Sequence, residues 1–288
     1  MAEAKIVTLV DASVYAESVC DYAAWAAERT QAPIELLHVI GRRQTGRLDV
    51  SGALSLGART RMLEELTKLE GDMARLGQQH GRALLDAAAD RIEDPTKGGG
   101  QPRPATRMRI GDLIEETNEA LEDASLLVIG KRGEAADFAR LHLGSNLERM
   151  VRSSQRPILV ASRAFKPIER ILLAYDGRAS ANKALEAVAQ NPLLRGLDVT
   201  LLLVGEASTE NKALLREAQQ RLEEADLSVS SELVAGQPVE VIAERADGGQ
   251  FDMLVMGAYG GGLLRSMLIG STTTEMLISC RVPVLLYR

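Results

Sequence analysis

The chain has 288 residues, enough for two domains of common size, and 45% apolar residues give each a core, which excludes wholesale disorder. A net charge of −6 argues against the basic face that phosphate-backbone binding needs, so no nucleic-acid partner is expected. No apolar run approaches a membrane span, Met1 to Lys5 lack a signal-peptide layout, and Cys20 and Cys280 stand far apart in apolar helical contexts. A cytoplasmic protein with free buried thiols and no membrane contact is the expectation.

Short apolar runs bounded by turn residues alternate with helical patterns, which predicts an α/β fold with a parallel sheet built from βαβ units. The first run, Ile6 to Val10, ends at Asp11. Ala12 and Ser13 then open a helix with apolar positions Tyr15, Val19, Tyr22 and Ala26. A strand from Ile34 to Ile40 follows Pro33. Next, Met62, Leu66, Leu69, Met73 and Leu76 recur at steps of 4, 3, 4 and 3, which marks a long helix. Such a stripe suits a coiled-coil seam or a helix lying on its own domain, and the second is expected. Gly98-Gly99-Gly100 and Pro102 to Pro104 mark a loop before a strand near Thr106 to Ile110. Strands at Ser125 to Ile129, ending in Gly130, and Pro157 to Ser162 follow. Arg149 to Arg170 holds the nearest approach to a basic run and reads as a solvated helix face and linker.

The same order then recurs. Ile171 to Tyr175 ends in Asp176, Ser180 is expected to cap the next helix, and strands follow at Val199 to Val204, Phe251 to Met256 (before Gly257) and Pro283 to Tyr287. Asp11 to Val39 and Asp176 to Val204 are both 28 positions; Ser145 to Pro157 and Ser271 to Pro283 are both 12. That agreement at both ends of the unit establishes a duplication. Val39 to Gly111 spans 72 positions against 32 from Val204 to Gly236, so the first copy carries extra residues. The division is residues 1–162, with a helical insertion around 42–105, a linker at 163–168, and residues 169–288.

The chain has no G-x-x-x-x-G-K-[ST], no G-x-G-x-x-G after a strand and no G-x-S-x-G, which removes the P-loop, the dinucleotide fingerprint and the usual hydrolase nucleophile. His38, His80 and His142 are scattered and no Cys pair has ligand spacing, so no protein-built zinc site is expected. His38, inside an apolar strand, reads as a satisfied sheet residue rather than a base.

Gly257-Ala258-Tyr259-Gly260, nine residues, then Gly270-Ser271-Thr272 and an apolar helix form an anion cradle. Gly257 and Gly260 let backbone N–H groups approach a ligand, and the helix opening at Gly270 offers unpaired N–H groups, its dipole and two hydroxyls to phosphate. Asp176 faces the same strand-end crevice.

The motif G-x2-G-x9-G-[ST], with a strand-ending Asp upstream, resembles the universal stress protein family, over nearly the whole chain twice. The resemblance implies two tandem flavodoxin-like, adenine-nucleotide-hydrolase-like domains, each a five-stranded parallel sheet flanked by helices. It implies that Asp176 and the backbone at Val204 meet a nucleoside, while Gly257, Gly260, Gly270, Ser271 and Thr272 hold ribose and phosphates. In the first copy the corresponding residues are Asp11, Val39, Gly130, Gly133, Gly144, Ser145 and Asn146. There ten residues separate the glycines instead of nine, and Glu134 and Asp137 enter the loop, with Lys131, Arg132 and Arg140 available to counter them. The first site is therefore expected to be the weaker. The family's dimers imply that the last strands of the two copies pair within this chain, and a further homodimer is compatible with that.

The resemblance implies ATP, or AMP or ADP, as ligand, with Mg a candidate companion. It implies a stress-response regulatory protein rather than an enzyme. Slow ATP hydrolysis or phosphotransfer, with Ser271, Thr272 and Thr273 near the phosphates, and a nucleotide-free interaction scaffold are the alternatives.

Overall fold

The computed structural model describes residues 4–41, 56–97, 99–131, 133, 145–258 and 271–288, and among these all side chains but those of 56–63, 97, 145, 271 and 272. The first repeat runs β1 (Lys5–Leu9), α1 (Ala16–Thr30), β2 (Ile34–Gly41), α2 (Leu56–Glu93), β3 (Ala105–Gly111), α3 (Leu113–Ala120), β4 (Ala124–Gly130), α4 (Ser145–Ser153) and β5 (Ile158–Ala161). The second runs β6 (Arg170–Ala174), α5 (Ala179–Gln190), β7 (Asp198–Val204), α6 (Thr209–Glu223), β8 (Val229–Val234), α7 (Pro238–Asp247), β9 (Met253–Gly257), α8 (Ser271–Ser279) and β10 (Val284–Tyr287).

All ten strands form one sheet in the order β3-β2-β1-β4-β5-β10-β9-β6-β7-β8. Each repeat contributes five parallel strands, and the repeats meet where β5 and β10 pair antiparallel, with Leu159 opposite Leu285 and Val160 opposite Val284. This is the expected closure of two open ladders. Helices cover both faces, so the central strands are apolar on both sides. One core cluster contains Leu159 and Leu285, the other Ile158, Val160, Val284 and Leu286, so each core runs unbroken through the joint.

The segment between the repeats packs against the first one. Tyr22 Oη lies 2.8 Å from Ser162 Oγ, Phe165 meets the Tyr22 ring edge-on at 4.9 Å, and Ile168 is buried. Arg29 on α1 donates from Nε to the Leu193 carbonyl at 2.6 Å, a second tie between the repeats.

The sequence reading and the structure part at several places. The helix expected from Ala12 and Ser13 begins at Ala16, because Asp11 Oδ1 accepts the Ser13 N–H and Ser13 Oγ accepts the Tyr15 N–H, which holds a turn open first. Ser180 does not cap α5. Asp176 takes the Arg178 N–H at 3.0 Å, Gly177 turns the chain at φ +73°, and the helix starts at Ala179 with Ser180 in its first turn. Three residues of the stripe on α2 do not lie on their own domain: Leu69, Met73 and Leu76 are 56%, 51% and 66% exposed, while Leu66 is half-buried. The second half of α2 packs on the core through Leu85, Ala88, Ala89 and Ile92, locked to α1 by Arg91 donating twice to Asp21 at 2.7 and 2.9 Å. One strand escaped the sequence reading. β8 sits at a sheet edge, with Ser230, Ser231 and Glu232 at its centre and no buried residue, so it shows no apolar run.

Both cysteines are free and buried, and burial raises their thiols, Cys20 to about 12 and Cys280 to about 11. Thiolate is the reactive form, so native protein should release no colour with Ellman's reagent at pH 8 on the minute scale. Guanidinium should expose both thiols. Rapid native labelling of either would contradict this burial.

Candidate functional site

The registers bring the expected nucleoside residues of the second repeat to one sheet edge. Ala174 at the end of β6 lies opposite Leu202 of β7 and Met256 of β9, so Asp176, Val204 and Gly257 occupy adjacent strand ends. From β6 the chain builds outward to β7 and β8 on one side, and later to β9 and β10 on the other. A crevice opens at such a reversal point, beyond the carboxyl ends of the strands.

Asp176 holds its loop together: Oδ1 accepts the Arg178 N–H and Oδ2 pairs with Arg178 Nη1 at 3.3 Å. Gly257 has a packing role besides the one expected for it. A Cβ there would fall 2.5 Å from Ser180 Oγ, 2.7 Å from the Ser180 carbonyl carbon and 2.8 Å from Ala181 N, so α5 presses directly onto the end of β9.

The amino end of α8 is brought to the crevice by a residue that the sequence reading treated as a phosphate-end hydroxyl. Thr273 is buried, and its Oγ1 donates to the Ala258 carbonyl at 3.1 Å, while the Ala258 N–H donates to the Tyr287 carbonyl at 2.7 Å. Thr273 thus pins the first turn of α8 to the end of β9 and is engaged inside the protein. The signal was available: Thr273, Met276, Leu277 and Cys280 share helical spacing and all are buried. Ser271 and Thr272 form the first turn of α8, the position from which free N–H groups serve an anion. Gly260 and Gly270 lie outside the described residues.

The first repeat repeats this geometry in outline. Leu9 lies opposite Leu37 and Thr8 opposite Val128, so Asp11, Val39 and Gly130 lie side by side near the carboxyl ends of neighbouring strands, with β2 running on beside β3 to Gly41. A Cβ at Gly133 would fall 3.1 Å from Asp11 Oδ2, so the chain after β4 folds back over that carboxylate. Ser145 opens α4 and Asn146 is exposed in its first turn. Gly144, Arg132, Glu134, Asp137 and Arg140 lie outside the described residues. Lys131 reaches across to the second repeat. It is buried, and its ammonium donates to the Cys280 carbonyl after α8, because β4 and the end of α8 flank the same joint strands. Arg288 answers from the other repeat, donating to the Arg152 carbonyl at the end of α4 at 2.7 Å. Each cation sits where a helix leaves its carbonyls unpaired.

His38 is a satisfied sheet residue, its Nδ1 2.8 Å from the Val10 carbonyl. Among the described residues no group of three or more His, Cys, Asp or Glu side chains is placed to hold a metal ion, and no helix is long and apolar enough to cross a membrane.

The profile of the Universal stress protein family matches residues 4–162 and matches again over 167–288. The chain belongs to the universal stress protein family. A universal stress protein of Synechocystis is 32% identical over 288 residues, spanning 98% of this chain and 99% of the relative. One from Mycolicibacterium smegmatis is 24% identical over 97% of this chain and 95% of its own length. Among solved structures, a universal stress protein from Archaeoglobus fulgidus superposes with a TM-score of 0.67 at 20% identity, covering 100% of this chain and 99% of that one. These matches run the full length of the chain, so its tandem form is shared with whole relatives, and the universal stress protein fold accounts for both halves.

Proposed function

We propose that this universal stress protein binds an adenine nucleotide, ATP foremost, in its second repeat and acts as a nucleotide-responsive regulator in the stress response. The observation that carries the reading is the meeting of Asp176, Val204 and Gly257 with the amino end of α8 at the reversal point of the sheet. Asp176 and the Val204 backbone suit a nucleoside, and the first turn of α8, with Ser271 and Thr272, suits phosphate. The remaining glycines, Gly260 and Gly270, supply backbone that approaches without a Cβ.

Fast catalysis does not belong to this reading. Phosphoryl transfer needs a group that orients or deprotonates the nucleophile. Asp176 stands at the nucleoside end of this site, and Thr273 is turned inward. Turnover far below the roughly 1–1000 per second common to enzymes is expected; contaminant-free protein working in that range would overturn it.

Titration calorimetry on the full chain tests the site. Gly270→Val and Gly260→Val should each weaken ATP binding by about tenfold or more, roughly 1.4 kcal/mol, because a side chain blocks the phosphates. Asp176→Ala should weaken it less. Unchanged affinity in both glycine variants would remove the assignment.

The two repeats should bind unequally, with the second the stronger. The first has one extra residue between its glycines and two added acids. A Gly270→Val chain should therefore retain only weak binding, while Gly144→Val should leave the tight phase intact. The reverse pattern would show the strong site to be the first.

A further inference from the structure

Gly81 lies beside β2 and β3, where a Cβ would fall 2.8 Å from His38 Cδ2 and 3.0 Å from Met108 Sδ, and here α2 parts from its domain. Residues 56–80 form an arm of about 37 Å at 1.5 Å per residue. From Met62 onward a heptad is laid out, with Leu66 and Met73 at one seam position and Met62, Leu69 and Leu76 at the other; Arg59 closes the seam one heptad before Leu66. Continuing that heptad reaches His80, Ala83 and Ala87, all exposed, whereas the residues buried on the domain are Gly81, Leu85, Ala88, Ala89 and Ile92. At about 100° per residue the two faces lie roughly 120° apart around the axis. The seam faces away from its own domain.

The charges beside the seam select its occupant. The flanking positions carry Glu65, Asp72 and Gln79 on one side and Leu63, Glu70 and Gly77 on the other, with no base among them. Lys68 and Arg75 stand one position farther out, and Arg75 Nη2 lies 3.9 Å from Asp72 Oδ1. A second copy of this arm is a poor partner. Parallel pairing sets Glu65 against Glu70, and antiparallel pairing sets acids against acids on both sides.

We propose that the arm is a docking surface for a partner protein's amphipathic helix, with an apolar seam and Lys or Arg on both flanks. Apolar burial supplies the contact and the acidic flanks supply the choice of partner. Gly71 and Gly77 lower the helix propensity of the arm, so docking also increases its helical order.

The test uses the full chain and synthetic helices of 21 residues with Leu at the seam. One carries Lys at the flanks, one Glu, and one is the Lys peptide scrambled. The Lys peptide should bind, weaken at least tenfold between 50 and 500 mM salt, and raise helical circular dichroism beyond the sum of the parts. Leu69→Glu with Leu76→Glu should abolish binding, and Glu65→Lys with Glu70→Lys and Asp72→Lys should transfer preference to the Glu peptide. The mutated side chains are outside the core, and an unchanged melting temperature confirms an intact fold. Should the Leu variant fail to fold, the charge reversal decides alone. Equal binding of all three peptides, no binding of the Lys peptide, or a chain dimer dispersed by Leu76→Glu would each overturn the proposal.

Discussion

Gly257→Ala should lower the melting temperature sharply and weaken ATP binding with it. The added carbon falls within 2.5–2.8 Å of Ser180 Oγ, the Ser180 carbonyl carbon and Ala181 N. Two of these are backbone atoms of α5, so no rotamer change clears them. Overpacking commonly costs about 1–3 kcal/mol, and this case belongs at the top of that range. At about 2–4 °C per kcal/mol the loss is roughly 6–12 °C. The displaced segment is the turn from Asp176 to Ser180, so affinity should fall although Gly257 is not required to touch the ligand. Gly77→Ala is the control: nothing lies within 4 Å of its Cβ, and a helix interior favours Ala. Calorimetric scans that place Gly257→Ala within 1 °C of the parent, about a quarter to a half kcal/mol on the same scale, would refute this packing.

Leu159→Ala and Leu285→Ala should each cost about 2–5 kcal/mol, the other large effect. Both side chains are fully buried and face each other across the only antiparallel pair of the described sheet. The two leucines come from different repeats, so the informative quantity is their coupling. Residues in contact commonly couple by about 0.5–3 kcal/mol, and the double variant should lose less than the sum. Chemical denaturation with two probes, the single Trp25 in the first repeat and far-ultraviolet circular dichroism for both, reads the result. Strict additivity, with each loss confined to its own repeat, would mean that the halves are separate cores.

The arm of α2 shows where one-dimensional reasoning stops. Its 4-3-4-3 stripe is plain in the sequence, and the stripe alone is compatible with packing inward or outward. What settles the direction is the position of Gly81 against His38, which dictates how much helix lies beside the sheet and which azimuth meets it. Lys131 is a similar case. Beside two glycines in a phosphate-loop pattern, a lysine invites assignment to the anion, yet its ammonium donates to a carbonyl just after α8, about 150 residues away in sequence. Thr273 divides the other way: its burial was legible from the period it shares with Met276, Leu277 and Cys280.

Sequence by itself determined what depends on local spacing: the duplication, the parallel strands with their ending Asp11 and Asp176, and the glycine pattern before α8. Such features are carried by contiguous residues whose period or backbone freedom is intrinsic, so they need no partner to be read. Only the tertiary structure decided the rest, namely that two five-stranded sheets become one through β5 and β10, that α5 fills the space left by Gly257, and that Leu69, Met73 and Leu76 of the α2 stripe are left exposed. Each depends on which surface lies opposite. A side chain's spacing names the face it occupies but not the neighbour, and it is the neighbour that sets the energy.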